Sequence, residues 1–389
     1  MKRSTDRILT THVGSLIRPD ALIEFMHAKE AGKPFDQAAY EECLTDSVAT
    51  VVKQQADIGV DVISDGEFGK TISWAQYALE RLGGFERRVF NRAAGNPWTR
   101  GADRTRFAEF YAELDGRDPI ETTKDSVIVS PVSYTGQAIL QRDIDNFNAG
   151  LKNAKVDEAF LPVAAPASAI PDRKNEYYQT DEESIRAVGK AMAVEYRAIV
   201  DAGFIVQLDD ARAAVTYDRM VPPKTLADFR DWLELHTEVL NDAITGIPPE
   251  KIRCHVCWGS WPGPHVSDVP VRDIIDIILK VKAGAYSLEM ANPRHEHEWQ
   301  VWKDVKLPDG KILIPGVISH STNVVEHPEL VAERIGRLAK LVGRENVIAG
   351  TDCGFAQATF LRRVHPSIQW AKLEALVEGG RIATKQLWG

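Results

Sequence analysis

The sequence predicts an α/β protein, a TIM-type (β/α)8 barrel formed by residues 1–389 as one domain, with an insertion at residues 83–124 after the second strand. Three observations carry that expectation. Short apolar, β-branched runs alternate with amphipathic helical stretches along the whole chain, the pattern of βαβ units and a parallel sheet. No GxGxxG follows the first strand-like run, which argues against a dinucleotide-binding doubly wound sheet. Residues capable of chemistry also stand at the C-terminal end of nearly every strand-like run: Ser15, Glu67, Asp209, His255, Cys257, Glu289, His320 and Cys353. In an eight-fold barrel those ends open on one mouth, where barrel enzymes keep their active sites.

Taken in order, Ile8 to Leu16 reads as a strand closing on a small-residue turn, and Arg18-Pro19-Asp20 starts a helix. A second helix from about Asp36 to Ile58 delivers the chain to the strand Val60 to Glu67. From Gly83 to Lys124 there is no clear period, and Arg, Gly and aromatics are frequent, so a lid-like excursion is expected. Val127 to Tyr134 is the next strand-like run, then a helix near Asp143 to Ala154 and the run Ala159 to Ala165. A long amphipathic helix, Asp181 to Asp201, leads into Phe204 to Asp210, and a helix from Leu226 to Ile244 precedes Ile252 to Gly259. Val271 to Val281 follows as helix, then Tyr286 to Asn292, Ile312 to Ile318, a helix from Pro328 to Val342, Val347 to Gly354, and a last helix near His365 to Val377. These are nine strand-like runs, one more than a barrel needs, so one is expected to be peripheral.

Composition narrows the function. A net charge of -9 provides no basic surplus to displace counterions, which excludes broad binding to nucleic acid or an anionic membrane. No apolar run approaches the ~18 residues of a membrane span, and no signal-peptide core follows the charged N-terminus. Four cysteines are too few for a disulfide framework. Together these features predict a cytoplasmic protein with thiols available for metal.

The sharpest constellation is a metal set. In a strand alternate side chains share a face, so His255 and Cys257 point together and Cys254 points away. That alternation also removes Cys254 and Cys257 from consideration as a redox CxxC pair, and Cys43, on a helical stretch, reads as inert core. Zn2+ takes imidazole nitrogen, thiolate sulfur and carboxylate oxygen in a tetrahedral shell. Glu289 and Cys353, also at strand ends, complete a set of two thiolates, one imidazole and one carboxylate. Glu67 and Asp209 form a carboxylate pair suited to a cationic amine, with a helix N-cap the alternative at either strand end, for Asp210 or for Glu67. The Gly14-Ser15 turn can present backbone N–H groups to a carboxylate, so the three positions would grip both ends of an amino acid. His320 is a candidate general acid. The run Arg294-His295-Glu296-His297-Glu298 reads as a solvated or rim-lining loop rather than a metal cluster, with Arg294 a possible anion contact.

These residues resemble the cobalamin-independent methionine synthase family, in particular its catalytic barrel and short single-barrel relatives. The matching motifs are Thr10-Thr11-His12-Val13-Gly14-Ser15, Gly66-Glu67, Gln207-Leu208-Asp209, His255-Val256-Cys257, Leu288-Glu289, Gly316-Val317 with His320, and Asp352-Cys353-Gly354, in the family's order. The resemblance implies a (β/α)8 barrel, zinc on His255, Cys257, Glu289 and Cys353, and a homocysteine amine at Glu67 and Asp209. It further implies a substrate carboxylate near Gly14 and Ser15, and His320 as proton donor. The activity implied is methyl transfer to a thiol, homocysteine giving methionine. At the family's pterin-stacking tryptophan the sequence has Ser168, which offers no aromatic face. The methyl donor is therefore open between a methylated folate and a corrinoid carrier. Two rival readings are alkyl transfer to coenzyme M and a metal-free decarboxylase of the uroporphyrinogen type.

Overall fold

A computed structural model describes residues 1–389 except 72, 90–100, 118–123, 170–173, 357 and 360–361. Its strands are β1 (Leu9–Thr10), β2 (Val62–Ile63), β3 (Leu82–Val89), β4 (Lys124–Tyr134), β5 (Glu158–Ala164), β6 (Lys174–Asn175), β7 (Ile205–Asp209), β8 (Ile252–Val256), β9 (Ala285–Leu288), β10 (Ile312–Ile318) and β11 (Ile348–Thr351). Its helices are α1 (Asp20–Glu30), α2 (Gln37–Ile58), α3 (Ala102–Arg106), α4 (Ala108–Arg117), α5 (Gln137–Leu151), α6 (Pro166–Ala169), α7 (Asp181–Asp201), α8 (Arg212–Met220), α9 (Leu226–Ala243), α10 (Ile275–Ile278), α11 (Pro328–Val342) and α12 (Pro366–Trp388).

Eight strands pair side by side in the order β1-β11-β10-β9-β8-β7-β5-β2. Every pairing within that sheet is parallel. A parallel bridge from Thr11 to Val62 joins its two ends, so the sheet curls into a nearly closed barrel with helices around it. The TIM-type barrel expected from the sequence is the fold observed. Strands with barrel on one side and helices on the other are buried on both faces, and β8 is buried at all five positions. Within β8 the alternation has a visible consequence. Arg253 points into the barrel, where its guanidinium donates to Thr11 Oγ1 at 3.0 Å and His12 O at 2.7 Å. His255 and Cys257 continue that face toward the mouth, while Cys254 packs among the apolar side chains of the main core.

The ninth strand-like run, Val127 to Tyr134, is the peripheral one. It lies in β4, which pairs antiparallel with β3 and parallel with β6 in a separate three-stranded sheet. The excursion after β2 therefore contains a strand, β3, that the sequence did not reveal, because Leu82-Gly83-Gly84-Phe85-Glu86-Arg87-Arg88-Val89 lacks an apolar face. Part of the 83–124 stretch lies outside the described residues. Its described helices α3 and α4 reach the barrel: Asp103 N–H donates to Asp218 Oδ1 at 3.0 Å on α8, and Asp103 Oδ2 accepts from Val266 N–H at 3.1 Å.

Three helices differ from expectation in their boundaries, the first being α5, expected near Asp143 to Ala154 and found at Gln137–Leu151. Where one helix was expected from Val271 to Val281, a 3-10 turn over Val271–Asp273 gives way to α10, with the break at Ile274, φ −133°. The last helix continues past Val377 to Trp388 through Gly379 and Gly380. A Cβ on Gly379 would sit 2.4 Å from Val331 Cγ1, and one on Gly380 would sit 3.0 Å from Thr10 Cγ2. The glycines let α12 lie directly against α11 and β1, and that packing outweighs their low helix propensity. Among the described residues, no helix is long and apolar enough to cross a membrane.

Candidate active site

The C-terminal strand ends converge on a cavity of about 260 Å³. Ser15, Glu67, Asp209, His255, Cys257 and Cys353 all line it, so six of the positions singled out in the sequence share one space. His255, Cys257 and Cys353 each offer a ligand atom within 4.8 Å of the others, and all three are buried. His255 comes from β8, Cys257 follows that strand directly, and Cys353 stands two residues beyond β11. The imidazole is oriented by Ser287 of β9, whose Oγ lies 3.0 Å from Nδ1. Nε2 is buried and has no hydrogen-bond partner among the described residues. A ring nitrogen pointing at two sulfurs with its other nitrogen held is the arrangement in which histidine binds a metal.

The electrostatics agree. The hydrogen bond from Cys353, aided by His255, holds the Cys257 thiol well below its ordinary range against the opposing effect of burial. The same bond, with burial, pushes Cys353 well above it. Two adjacent thiols beside an imidazole whose Nε2 has no hydrogen-bond partner among the described residues form a donor set that fits a soft or borderline divalent cation such as zinc. Glu289 is not in this set of three. Its Oε1 accepts from Trp258 N–H at 3.1 Å and its Oε2 from Asn292 Nδ2 at 2.8 Å. Burial, then the neighbouring Cys257 charge, pushes the Glu289 carboxyl well above the usual range. Three of the four donors expected from the sequence thus lie within 4.8 Å of one another, and the Glu289 carboxylate accepts hydrogen bonds from the protein beside them.

The opposite wall carries Glu67 and Asp209. Glu67 has φ +61°, a left-handed conformation costing about 1–2 kcal/mol for a residue with a Cβ, and it follows Gly66 at φ +72°. Arg18 holds this turn by donating to the carbonyls of Glu67 and Lys70. The Glu67 carboxylate is already paired: Lys70 Nζ donates to Oε2 at 3.0 Å. Asp209 accepts from Gln207 Nε2 at 2.7 Å. Burial, then the nearby Glu67 charge, lifts its pKa to about 7.

Gly14 does not offer its N–H to a ligand, which corrects one expectation, because that N–H donates to His12 Nδ1 at 3.1 Å. Its role is close approach: a Cβ there would lie 2.3 Å from Pro162 Cγ and 2.8 Å from Glu67 Oε1. Ser15 does line the cavity, and its carbonyl accepts from Phe355 N–H at 2.8 Å, latching it to the loop that carries Cys353.

His320 faces a second cavity of about 360 Å³, shared with Glu289, Asn292, His265 and His295. It is 3% exposed, and neither ring nitrogen has a partner among the described residues. Burial, then the Arg363 charge, pushes its pKa down to about 3, so the ring is neutral.

The sequence missed several residues. Lys70 carried a weak signal, three places after Glu67. Trp74, Tyr111 and Trp261 line the main cavity with no linear signal at all, and Tyr111 arrives from α4 to accept from Trp261 Nε1 at 3.1 Å. The 294–298 loop is also more than solvated rim. His295 is 3% exposed, with Nε2 2.9 Å from Asp268 Oδ2 and Nδ1 2.9 Å from Glu298 Oε2. Asp268 also meets His265 Nδ1 at 3.1 Å, so these groups form ion pairs that tie the loop after β8 to the loop after β9.

No family model matches the chain. It is 24% identical over 381 residues to a methionine synthase of Saccharolobus solfataricus, covering 97% of this chain and 95% of that protein. It is 26% identical over 381 residues to a methionine synthase of Sulfolobus acidocaldarius, covering 97% and 93%. Among solved structures, a B12-independent methionine synthase from a Shewanella species in complex with selenomethionine superposes with a TM-score of 0.71 at 18% identity, over 98% of this chain and 99% of that one. A putative vitamin-B12 independent methionine synthase from Listeria monocytogenes gives 0.66 at 19% identity, over 98% and 99%. These structures share the fold.

Proposed function

From the chain's homology to the methionine synthases along 97% of its length, we infer that it transfers a methyl group to a thiol, homocysteine, giving methionine. The observation that carries this reading is the meeting of His255, Cys257 and Cys353 within 4.8 Å on the wall of a cavity that Ser15, Glu67 and Asp209 also line. His255 Nε2 and the two sulfurs would hold zinc, and Glu289 is the carboxylate donor assigned to complete the set. Zinc bound there supplies the charge that keeps a thiol ionised at neutral pH, the form in which sulfur attacks carbon.

The protein's own groups do the rest. Glu67 and Asp209 receive the substrate ammonium, and Ser15 stands where the carboxylate end lies. The apolar wall built from Val13, Trp74, Ala211 and Trp261 excludes water from the reacting atoms. His320, neutral and without a partner among the described residues, is the group assigned to give a hydrogen bond to the departing donor fragment. That fragment's identity decides between a methylated folate and a corrinoid carrier.

The test begins with metal content. Purified protein is expected to hold about one zinc per chain, as one such site requires, and Cys353→Ser is expected to lose it. Homocysteine added to the zinc form should release a proton. With homocysteine fixed, the donor screen then runs over folate with one and with several glutamates, methylcobalamin, and small methylated compounds. A zinc-free wild type that methylates homocysteine at full rate would sink the metal assignment. Alkyl transfer to coenzyme M with none to homocysteine would sink the acceptor assignment.

A further inference from the structure

We propose that Lys70 is a positioning residue for acceptor recognition: by fixing Glu67 from behind, it makes the cavity select a thiol that carries an amine. This rests on the reading of the acceptor as homocysteine.

The turn that carries Glu67 is unusual. Two successive residues, Gly66 and Glu67, lie in the left-handed region, and for Glu67 that conformation persists only if its surroundings over-determine it. Three contacts do so. Asp65 Oδ1 accepts from Glu67 N–H at 2.9 Å, Lys70 N–H donates to Glu67 O at 3.1 Å, and Arg18 caps the carbonyls of both Glu67 and Lys70. The strain sends the Glu67 side chain into the cavity rather than along the outside of the barrel.

Lys70 then decides what that carboxylate can do. Its Nζ donates to Glu67 Oε2 at 3.0 Å and to Pro162 O on β5 at 2.8 Å, and lies 4.4 Å from the centroid of the Tyr77 ring. The ammonium is thereby tied to a barrel strand and an aromatic face, and Lys70 is 6% exposed. Glu67 lines the cavity, and Lys70 is not among the lining residues. Lys70 therefore touches no substrate. It pins one carboxylate oxygen, while Oε1 lies against Gly14, where only a glycine fits. A buried carboxylate with a fixed partner stays ionised and in one rotamer, whereas an unpaired one neutralises or swings away. A Glu67 carboxylate fixed beside Asp209 suits an alkyl ammonium, and it gives no advantage to a thiol without one.

Binding separates this role from a merely structural one, and it needs no knowledge of the methyl donor. Homocysteine and 4-mercaptobutyrate, the same thiol acid without the amine, are titrated by calorimetry into zinc-loaded wild type, Lys70→Met and Lys70→Arg, with zinc content and thermal unfolding measured on each. Wild type is expected to prefer homocysteine. Lys70→Met is expected to lose about ten- to a hundredfold in homocysteine affinity, the range for one charge-assisted hydrogen bond. It should keep zinc and bind 4-mercaptobutyrate as wild type does. Lys70→Arg, which keeps the cation, should recover most of the preference. If Lys70→Met does not fold, Lys70→Gln is measured in its place. Equal weakening of both thiols, or an unchanged preference in the charge-free variant, overturns the role of Lys70. Wild type that carries zinc but binds neither thiol overturns the homocysteine reading itself, and the inference with it.

Discussion

The two walls of the cavity are built on opposite plans. On one, His255, Cys257 and Cys353 crowd together, and His255 Nε2 is buried with no hydrogen-bond partner among the described residues. On the other, each carboxylate already has its partner: Lys70 for Glu67, Gln207 for Asp209. The first wall leaves a buried ring nitrogen without a partner among the described residues, a cost that a bound cation would relieve. The second is satisfied by the protein itself and is rigid before any ligand binds. The difference teaches where each wall's energy comes from. Metal binding should stabilise the fold around β8 and β11, whereas the carboxylate wall should hold its shape with or without metal.

The most damaging way to break this comparison, short of deleting a donor, is to unseat His255. Ser287→Ala removes the oxygen 3.0 Å from Nδ1, leaving the ring free to choose another tautomer or angle. A lost supporting bond of this kind typically costs about 10- to 100-fold in metal affinity. Competition with a chromophoric chelator measures it, and homocysteine should still show its preference over 4-mercaptobutyrate once zinc is restored in excess. An unchanged zinc affinity would mean that the ring is held by packing alone.

A smaller effect is expected on the other wall. Asp209→Asn keeps the size of the side chain and the contact with Gln207 but removes the charge offered to an amine. Homocysteine affinity should fall about tenfold, in the range of a hydrogen bond to a charged group, with zinc content unchanged. Loss of zinc in this variant would show that the two walls are coupled and that the comparison is false.

The two walls also differed in how much of them the sequence disclosed. The metal wall was legible because strand alternation settles which side chains share a face: His255 and Cys257 had to point together and Cys254 away, and the structure places them so. Glu289 was read from the sequence as the fourth donor, and the structure sets it beside the other three. What the sequence did not reveal was that Trp258 N–H and Asn292 engage its carboxylate, because both contacts depend on loop geometry after the strand. The carboxylate wall was legible in its acids and not in its counterions. Nothing in a period of two or 3.6 predicts that a left-handed Glu67 lets Lys70, three residues on, reach back to it. The barrel itself was the easiest part, since eight parallel strands buried on both faces repeat one apolar signal. The second sheet was half hidden because β3 sets Leu82 and Phe85 against the main core but carries the exposed charges Glu86, Arg87 and Arg88 and two glycines, which mask the strand pattern.

The smallest predicted effect concerns the ties behind the metal wall. His295 bridges Asp268, on the loop that begins at Cys257, and Glu298, on the loop that begins at Glu289. Burial opposes its charge, but the hydrogen bonds it donates to Asp268 and Glu298 win and lift its pKa to about 9. A group whose folded pKa lies above its unfolded value of about 6.5 gives stability that is complete below pH 6.5. That contribution is lost as pH rises through 9. Wild type should therefore lose about 1 °C of melting temperature between pH 6.5 and 9, what a contribution of about 1 kcal/mol shifts in a chain this size. His295→Gln, which can still donate to one carboxylate but carries no proton to lose, should start lower and show a flatter profile. The comparison is made as the difference between the two profiles, which cancels the thiols and other groups that titrate in the same window. Parallel profiles would show that His295 is neutral in the folded protein and that packing against Trp258, whose ring centroid lies 4.5 Å away, holds the two loops together instead.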